Sequence, residues 1–249
     1  MRAIFEPAET GTVAPTRVLL LPAAYATPED FLREGFARTA RERLLPLDLV
    51  FIEAKMQHLT DRTVLRRLRH EMVLPARAAG CRSIWLGGIS LGGYVAIAYA
   101  ERYPREIDGL CLFAPYLGNH IVTGEIERAN GVRDWTPGKV ADDDDERRIW
   151  RFIKEHRDRS VTETQWRKSH EAPTVRRGAA EGIPGSASGA TRESLPLHLG
   201  FGQDDRFAYS HRLMAAALDS ASIDIVPGGH DWQAWRQLWE NFLDKRFPR

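Results

Sequence analysis

One short segment of this chain predicts a sharp turn together with both elements that flank it. It reads Ser83-Ile84-Trp85-Leu86-Gly87-Gly88-Ile89-Ser90-Leu91-Gly92-Gly93-Tyr94. Residues 83–87 form an apolar run typical of a buried strand, and the Ala-rich residues 91–103 are typical of a helix. Between them, Gly88, Ser90 and Gly92 match the pattern G-x-S-x-G, whose small residues allow the chain to turn back on itself. The segment therefore predicts a strand–turn–helix unit with Ser90 at the turn.

The predicted turn gives Ser90 the position of a nucleophile. A strained strand-to-helix turn exposes the serine hydroxyl, and the helix that follows offers backbone N–H groups to a developing oxyanion. A serine hydroxyl is a poor nucleophile unless a base accepts its proton. We therefore expect Ser90 to act with a histidine and an acid from elsewhere in the chain.

On either side of this segment, apolar runs alternate with amphipathic ones. The predicted strands are residues 17–21, 48–53, 83–87, 110–113, 196–200 and 222–226, with a weaker strand near 2–6. Most are consecutive Val, Ile and Leu residues, as in strands buried on both faces of a parallel sheet. Helices are predicted at 63–79, 91–103, 210–218 and 232–243, and Thr27-Pro28 is typical of a further helix start. The alternation predicts an α/β protein with a mostly parallel central sheet flanked by helices.

Length and charge exclude several classes of protein. The 249 residues suit one large α/β domain, or a domain with a modest insertion. Lys and Arg total 35 against 34 Asp and Glu, and they are interspersed, so the chain lacks the concentrated basic face that nucleic acid binding requires. Cys81 and Cys111 have no CxxC spacing, and we expect two buried, reduced thiols and no metal site.

The segment Val18–Ala26 superficially resembles the apolar core of a signal peptide. The residues before it include Arg2, Glu6, Glu9 and Arg17, which do not form a positively charged leader region. No run approaches the roughly 18 apolar residues of a membrane span. We therefore expect a buried strand here, no association with membranes, and a cytoplasmic protein.

The alternation of strands and helices breaks between residues 118 and 193. Asp142–Asp145 leads into a helical pattern at 146–157, where the carboxylates complement the helix dipole rather than form a metal site. Gly178–Ala190 is rich in Gly, Ala and Ser, which is typical of a loop. The sequence predicts a core of residues 1–117 and 194–249 with a cap at 118–193.

Of the eight histidines, His230 is the predicted general base. It follows the last predicted strand in a loop that begins with two glycines, Gly228 and Gly229, which permit a close approach to the Ser90 turn. His198 lies within an apolar strand and is expected in the core, whereas His120 opens the cap and could line the site. The remaining histidines occupy polar or helical segments and are expected at the surface: His58, His70, His156, His170 and His211.

The acid that orients this histidine is expected in the loop after the preceding strand. Two aspartates occur there, Asp204 and Asp205. Asp205 is preferred because it completes the spacing G-x-x-D from Gly202, and Asp204 is the alternative. Asp231 is disfavoured because neighbouring side chains rarely converge on one ring.

The chain order Ser90, Asp205, His230 resembles that of the α/β-hydrolase superfamily, and in particular a serine esterase-like member. The resemblance extends over nearly all of the chain outside the cap. It implies an α/β-hydrolase fold with an inserted cap and an oxyanion hole whose first N–H belongs to Leu91. The second N–H comes from the loop after an early strand, and Ala24 is the candidate, with Tyr25 next to it. Many relatives carry His-Gly where this chain has Pro22-Ala23.

The resemblance implies hydrolysis of a small-molecule ester-type substrate through an acyl-enzyme, with no metal or organic cofactor. The charged cap, with Trp135, Trp150 and Trp166 dispersed through it, favours small or medium carboxylic esters over long-chain lipids. An acyltransferase or a thioesterase using the same residues is the first alternative. A non-catalytic ligand-binding protein on the same fold is the second. The oligomeric state is not readable from this sequence.

Overall fold

A seven-stranded sheet organises the computed structural model, which describes residues 1–9, 11–54, 63–156, 195–218 and 223–248. The strand order is β1-β3-β2-β4-β5-β6-β7. The strands are β1 Ala3–Glu6, β2 Thr16–Leu21, β3 Leu47–Ile52, β4 Ser83–Ile89, β5 Gly109–Phe113, β6 Leu197–Gly202 and β7 Ile223–Val226. All seven predicted strands, including the weak first one, are confirmed within a few residues.

The sheet is parallel except at one edge. β1 pairs antiparallel with β3, with Ala3 opposite Ile52, whereas every other neighbouring pair is parallel. β2, β4, β5 and β6 are almost entirely buried, which explains their continuous apolar sequences. The predicted α/β class with a mostly parallel sheet is confirmed, and residues 17–21 are a core strand.

Helices connect the strands. They are α1 Pro28–Arg33, α2 Phe36–Glu42, α3 Val64–Leu68, α4 Leu74–Ala78, α5 Leu91–Arg102, α6 His120–Arg128, α7 at 145–156, α8 Ala208–Ala215 and α9 Trp232–Arg246. The long helix predicted at 63–79 is divided by a π-helical turn, Arg69–Val73, just before Pro75, whose missing N–H interrupts the regular hydrogen-bond ladder. α1 begins as predicted, where the Asp30 carboxylate accepts the Thr27 N–H at 2.7 Å.

Two helices cover opposite faces of β4. Trp85 packs edge-on against Phe242 of α9, with ring centroids 5.3 Å apart. Gly88 faces α5, where a methyl group on it would lie 2.6 Å from the backbone of Gly92. Because side chains alternate along a strand, positions 85 and 88 point to opposite faces. The strand that leads into Ser90 is thus held between α5 and α9.

The described part of the predicted cap is attached to the core by aromatic and ionic contacts. Trp150 of α7 is fully buried, and its indole N–H donates to the Leu117 carbonyl at 2.9 Å. Arg148 forms an ion pair with Glu101 of α5 at 2.5 Å. The Asp144 carboxylate accepts the Arg147 N–H at 3.1 Å, so it caps α7. Residues 157–194, including the predicted loop Gly178–Ala190, lie outside the described residues, and the cap boundaries stay a prediction.

Two expectations from composition concern the described residues. Cys81 and Cys111 are both buried free thiols, as predicted, and burial raises the pKa of each. No helix in the described ranges is both long enough and apolar enough to cross a bilayer.

Candidate active site

The turn at Ser90 has the strained backbone that its sequence predicts. Ser90 has φ 51° and ψ −112° and directly precedes α5. This positive φ is costly for a residue with a side chain, and it persists only where the surroundings enforce it. The neighbouring glycine explains how the turn closes, because a methyl group on Gly92 would lie 2.2 Å from the Leu21 carbonyl oxygen.

Hydrogen bonds hold the turn on both sides. The Ser90 N–H donates to the Phe113 carbonyl at 3.0 Å, at the end of β5. The Ser90 carbonyl accepts two N–H groups, from Tyr94 at 3.1 Å and from Tyr116 at 2.9 Å. The backbone of the turn is therefore fixed by the adjacent strand and by the loop that follows it. The whole of Ser90 is only 7% exposed.

The predicted oxyanion donors lie around this turn. Leu91 is the first residue of α5, where helical N–H groups have no acceptor within the helix. The loop after β2 contacts the same place, since a methyl group on Gly92 would lie 2.7 Å from the Pro22 carbonyl oxygen. This loop turns back through an Ala26 N–H to Ala23 carbonyl bond of 3.1 Å, which leaves Ala24 and Tyr25 at its centre.

Tyr25 is unusual within this loop. Its φ is 66°, a conformation that favours glycine, as at the third position of a type II turn. Tyr25 is also 96% exposed to solvent. β2 and β4 are parallel neighbours, so the loop that contains Tyr25 and the turn that contains Ser90 leave the sheet at the same edge. The arrangement places Ala24 and Tyr25 on the same sheet edge as Leu91.

Asp205 and His230 form a close pair at this edge. The His230 Nδ1 lies 2.7 Å from the Asp205 Oδ2, and the two side chains are 9% and 0% exposed. The other carboxylate oxygen accepts the Phe207 N–H at 2.7 Å. Burial would raise the pKa of Asp205, but the hydrogen bonds from His230 and Phe207 outweigh it and lower the pKa of that carboxyl. Asp205 is therefore an anion, and it holds a proton on Nδ1 of His230.

The neighbouring aspartates serve other purposes. Asp204 is exposed, and its N–H donates to the Gly228 carbonyl at 3.0 Å. Asp231 caps α9: its carboxylate accepts the Ala234 N–H at 3.1 Å and the Gly229 N–H at 3.2 Å. Of the three, Asp205 is the one paired with the imidazole.

A glycine lets the two loops of the pair meet. A methyl group on Gly202 would lie 2.4 Å from the Gly228 carbonyl oxygen, so any larger residue would separate the loop after β6 from the loop after β7. The His230 ring is then held between two aromatic edges, from Phe207 and Trp235, each with a centroid distance of 5.1 Å. With Nδ1 directed at Asp205, the opposite nitrogen, Nε2, faces away from the carboxylate.

Tyr116 connects this pair with the Ser90 turn. β4 and β7 are separated by two strands, or roughly 14 Å at the usual spacing of about 4.8 Å. Tyr116 follows β5 between them: its N–H donates to Ser90, and its ring packs on Phe207 at 5.8 Å. Sequence reasoning missed Tyr116, although its position at the carboxyl end of a predicted central strand was a usable signal.

The remaining histidines divide into predicted and unpredicted cases. His198 is fully buried, as expected, while His70 and His120 are exposed. The prediction for His211 is wrong: it is fully buried rather than at the surface. Phe207, His211 and Met214 recur at spacings of four and three residues, so His211 lies on the apolar face of α8. His58 and His170 lie outside the described residues.

Comparisons with known proteins support the architecture. No family model matches the chain. Lipase 1 from Psychrobacter immobilis is 30% identical over 106 residues, or 42% of this chain and 33% of the lipase; the match thus spans about a third of that relative. A ferulic acid esterase superposes with a TM-score of 0.55 at 14% identity, covering 94% of this chain and 85% of its own.

Two further solved structures extend this likeness. An S-formylglutathione hydrolase from Staphylococcus aureus has a TM-score of 0.52 at 13% identity, covering 93% of this chain and 81% of its own. An S-formylglutathione hydrolase from Agrobacterium tumefaciens has a TM-score of 0.52 at 14% identity, covering 96% and 87%. At such identities the likeness concerns the fold.

Proposed function

We propose that this chain, which has the α/β-hydrolase fold, is a serine hydrolase that cleaves small or medium carboxylic esters. The observation that carries the proposal is the buried Asp205–His230 pair, 2.7 Å apart, on the sheet edge where Ser90 occupies a strained strand-to-helix turn. A histidine that donates its Nδ1–H to a carboxylate leaves Nε2 as the acceptor that a serine hydroxyl needs.

The reaction follows from these roles. His230 Nε2 takes the Ser90 proton while Oγ attacks the ester carbonyl, and Asp205 stabilises the imidazolium that forms. The imidazolium then protonates the leaving alcohol, which leaves an acyl group on Ser90. A water molecule that gives its proton to His230 attacks the acyl group and releases the acid. Asp205 stays ionised throughout.

The tetrahedral intermediate carries a negative oxygen that needs donors. We assign the first to the Leu91 N–H, at the start of α5, and the second to the loop after β2, at Ala24 or Tyr25. The position of Leu91 also places the positive end of the helix dipole at this oxygen. Loss of one such donor typically costs about 3 kcal/mol of barrier stabilisation.

The preference for short esters rests on the surface next to the turn. A cavity of about 440 Å³ lies beside Tyr94, one helical turn after Ser90, and charged side chains including Asp143–Arg147 line it. A long acyl chain would gain little by leaving water for such a surface. Trp135 and Trp150 are both buried, so they anchor the cap segment rather than present an apolar lid. Trp166 lies outside the described residues.

Hydrolysis of p-nitrophenyl esters from acetate to palmitate tests this proposal. We expect kcat/KM to be greatest for acyl chains of two to about six carbons and to fall for longer chains, with Ser90→Ala inactive towards all of them. A maximum at the longest chains would contradict the substrate class. The absence of hydrolysis across the panel by folded wild-type protein would contradict ester hydrolysis. If added alcohols or thiols accelerate the release of p-nitrophenol and are themselves acylated, the protein is a transferase instead.

A further inference from the structure

His211 is a buried histidine that the proposed reaction does not use. It belongs to α8 and is fully buried, with its ring 5.1 Å from that of Phe201. Its Nε2 lies 2.9 Å from the Pro115 carbonyl oxygen. Because a carbonyl can only accept, Nε2 carries the proton and donates it. Nδ1 has no hydrogen-bond partner in the part of the chain that the structure describes. Burial lowers the pKa of His211 to about 4, so the ring is neutral at neutral pH.

The acceptor of this bond belongs to the segment that supports the Ser90 turn. Pro115 follows Ala114, which has φ 47° and donates its N–H to the Gly200 carbonyl at 2.7 Å. Pro115 also precedes Tyr116, whose backbone N–H donates to the Ser90 carbonyl. Pro115 also packs on α5, since a methyl group on Gly93 would lie 2.8 Å from the Pro115 Cβ. A displacement of the Pro115 carbonyl would therefore move the support of the turn.

The donor belongs to the other half of the site. The backbone N–H of His211 donates to the Phe207 carbonyl at 3.1 Å, one helical turn earlier in the chain. Phe207 donates its own N–H to Asp205 and packs its ring against His230. The His211 side chain thus joins the segment that holds the acid and base to the segment that holds the nucleophile.

We infer that the His211 Nε2–H to Pro115 carbonyl bond is a positioning contact, which sets the distance between Ser90 and the Asp205–His230 pair. The inference rests on the proposed serine hydrolase function. His211 touches neither substrate nor reacting atoms, and it acts by fixing the relative placement of two loops. Misplacing reacting groups by about 1 Å can cost on the order of 100-fold in rate, so a side-chain cross-link between the halves matters for turnover.

A matched pair of substitutions isolates the hydrogen bond. Glutamine places an N–H donor near the position of the histidine Nε2, and methionine has the same chain length without a donor. With p-nitrophenyl acetate we expect His211→Met to lower kcat by roughly 10- to 100-fold, with KM changed less than about twofold. We expect His211→Gln to retain kcat within about threefold of wild type, because it restores the bond.

Several outcomes would overturn the inference. Wild-type kcat in folded His211→Met would do so, and so would a loss in His211→Gln as large as that in His211→Met. If His211→Met does not fold, His211→Gln decides alone, because a loss beyond tenfold in that variant contradicts the inference. Titration with a fluorophosphonate gives the concentration of reactive Ser90 in each variant, so that kcat is compared per active site. A wild-type protein that neither hydrolyses the ester nor reacts with this probe contradicts the serine hydrolase itself, which is a different result.

Discussion

Replacing Asp205 by asparagine tests the acid through a change of a single atom. The carboxylate faces two donors, the His230 Nδ1 and the Phe207 N–H, each at 2.7 Å. An asparagine that keeps its oxygen on the Phe207 N–H must turn its NH2 group towards Nδ1. The imidazole then carries its proton on Nε2, and that nitrogen can no longer accept a proton from Ser90.

The magnitude follows from the two orientations of the new side chain. In the opposite orientation, the asparagine oxygen accepts the His230 Nδ1–H, so Nε2 can again accept a proton from Ser90. The asparagine NH2 group then faces the Phe207 N–H, and leaving these buried donors unpaired costs about 1–3 kcal/mol. That cost alone corresponds to a loss of roughly 10- to 100-fold, at about 1.4 kcal/mol for each factor of ten. The lost anion no longer stabilises the imidazolium, and with this effect the full decrease reaches about 10⁴-fold.

Steady-state hydrolysis of p-nitrophenyl acetate measures the effect. We expect Asp205→Asn to lower kcat by about 10²- to 10⁴-fold with an unchanged circular dichroism spectrum. Asp204→Asn is the matched control: its carboxylate is exposed and its N–H contact to Gly228 is retained, so kcat should stay within about twofold. A folded Asp205→Asn enzyme with more than a tenth of wild-type kcat would refute the reasoning, and the reverse ranking of the two variants would assign the acid to Asp204.

Three further predictions, the first with a matched control, concern the Ser90 turn, the α9 cap and a buried histidine. Gly92→Ala places a methyl group 2.2 Å from a backbone oxygen, so it should lower the free energy of unfolding by several kcal/mol in chemical denaturation and remove most activity. The control is Gly124→Ala in α6, where the nearest atom is the flexible end of an arginine at 3.4 Å; it should be neutral or stabilising by about 0.5–1 kcal/mol. Equal stability of the two variants would contradict the close approach at Gly92. Asp231→Ala should lower stability by about 1 kcal/mol through loss of the α9 cap and keep kcat within a few fold, so a loss matching that of Asp205→Asn would contradict a capping role. Burial, aided by Arg246 and Lys245, lowers the pKa of His198 to about 3. The Asp224 carboxylate, 3.2 Å from the His198 Nε2, opposes this effect. The unfolded chain, with a histidine pKa near 6.5, binds more protons, so the contribution of His198 to stability is full above pH 6.5 and falls as the pH drops towards 3. His198→Phe should flatten this dependence in urea unfolding, and an unchanged slope would exclude His198 as its source.

The positions of the strands and the mostly parallel character of the sheet could be predicted from the sequence because most of the strands are buried on both faces. Their continuous apolar runs, such as Leu19–Leu21, leave little ambiguity when turn residues bound them. The pattern around Ser90 was informative for a steric reason, since only glycine fits at position 92 against the end of β2.

Tertiary contacts limited what could be predicted elsewhere. α2 at Phe36–Glu42 was missed because its first turn follows Gly35, which has φ 83°, and no N-cap side chain marks its start. His211 was expected at the surface because it lies in a helical segment that begins with polar residues, yet its ring is buried and donates to a carbonyl on a distant loop. Asp204 and Asp205 are adjacent, so their side chains point in different directions. The spacing from Gly202 favoured Asp205, but only the folded loop shows which of the two side chains faces His230.

Covalent labelling of Ser90 with a fluorophosphonate, located by peptide mapping, tests the assignment of the nucleophile most directly. The strained turn and the histidine poised by a buried carboxylate predict one adduct per chain, on Ser90, and no adduct on the correctly folded Ser90→Ala protein. An adduct that forms on Ser90→Ala at the wild-type rate, or that maps to another residue in the wild-type protein, would contradict the assignment.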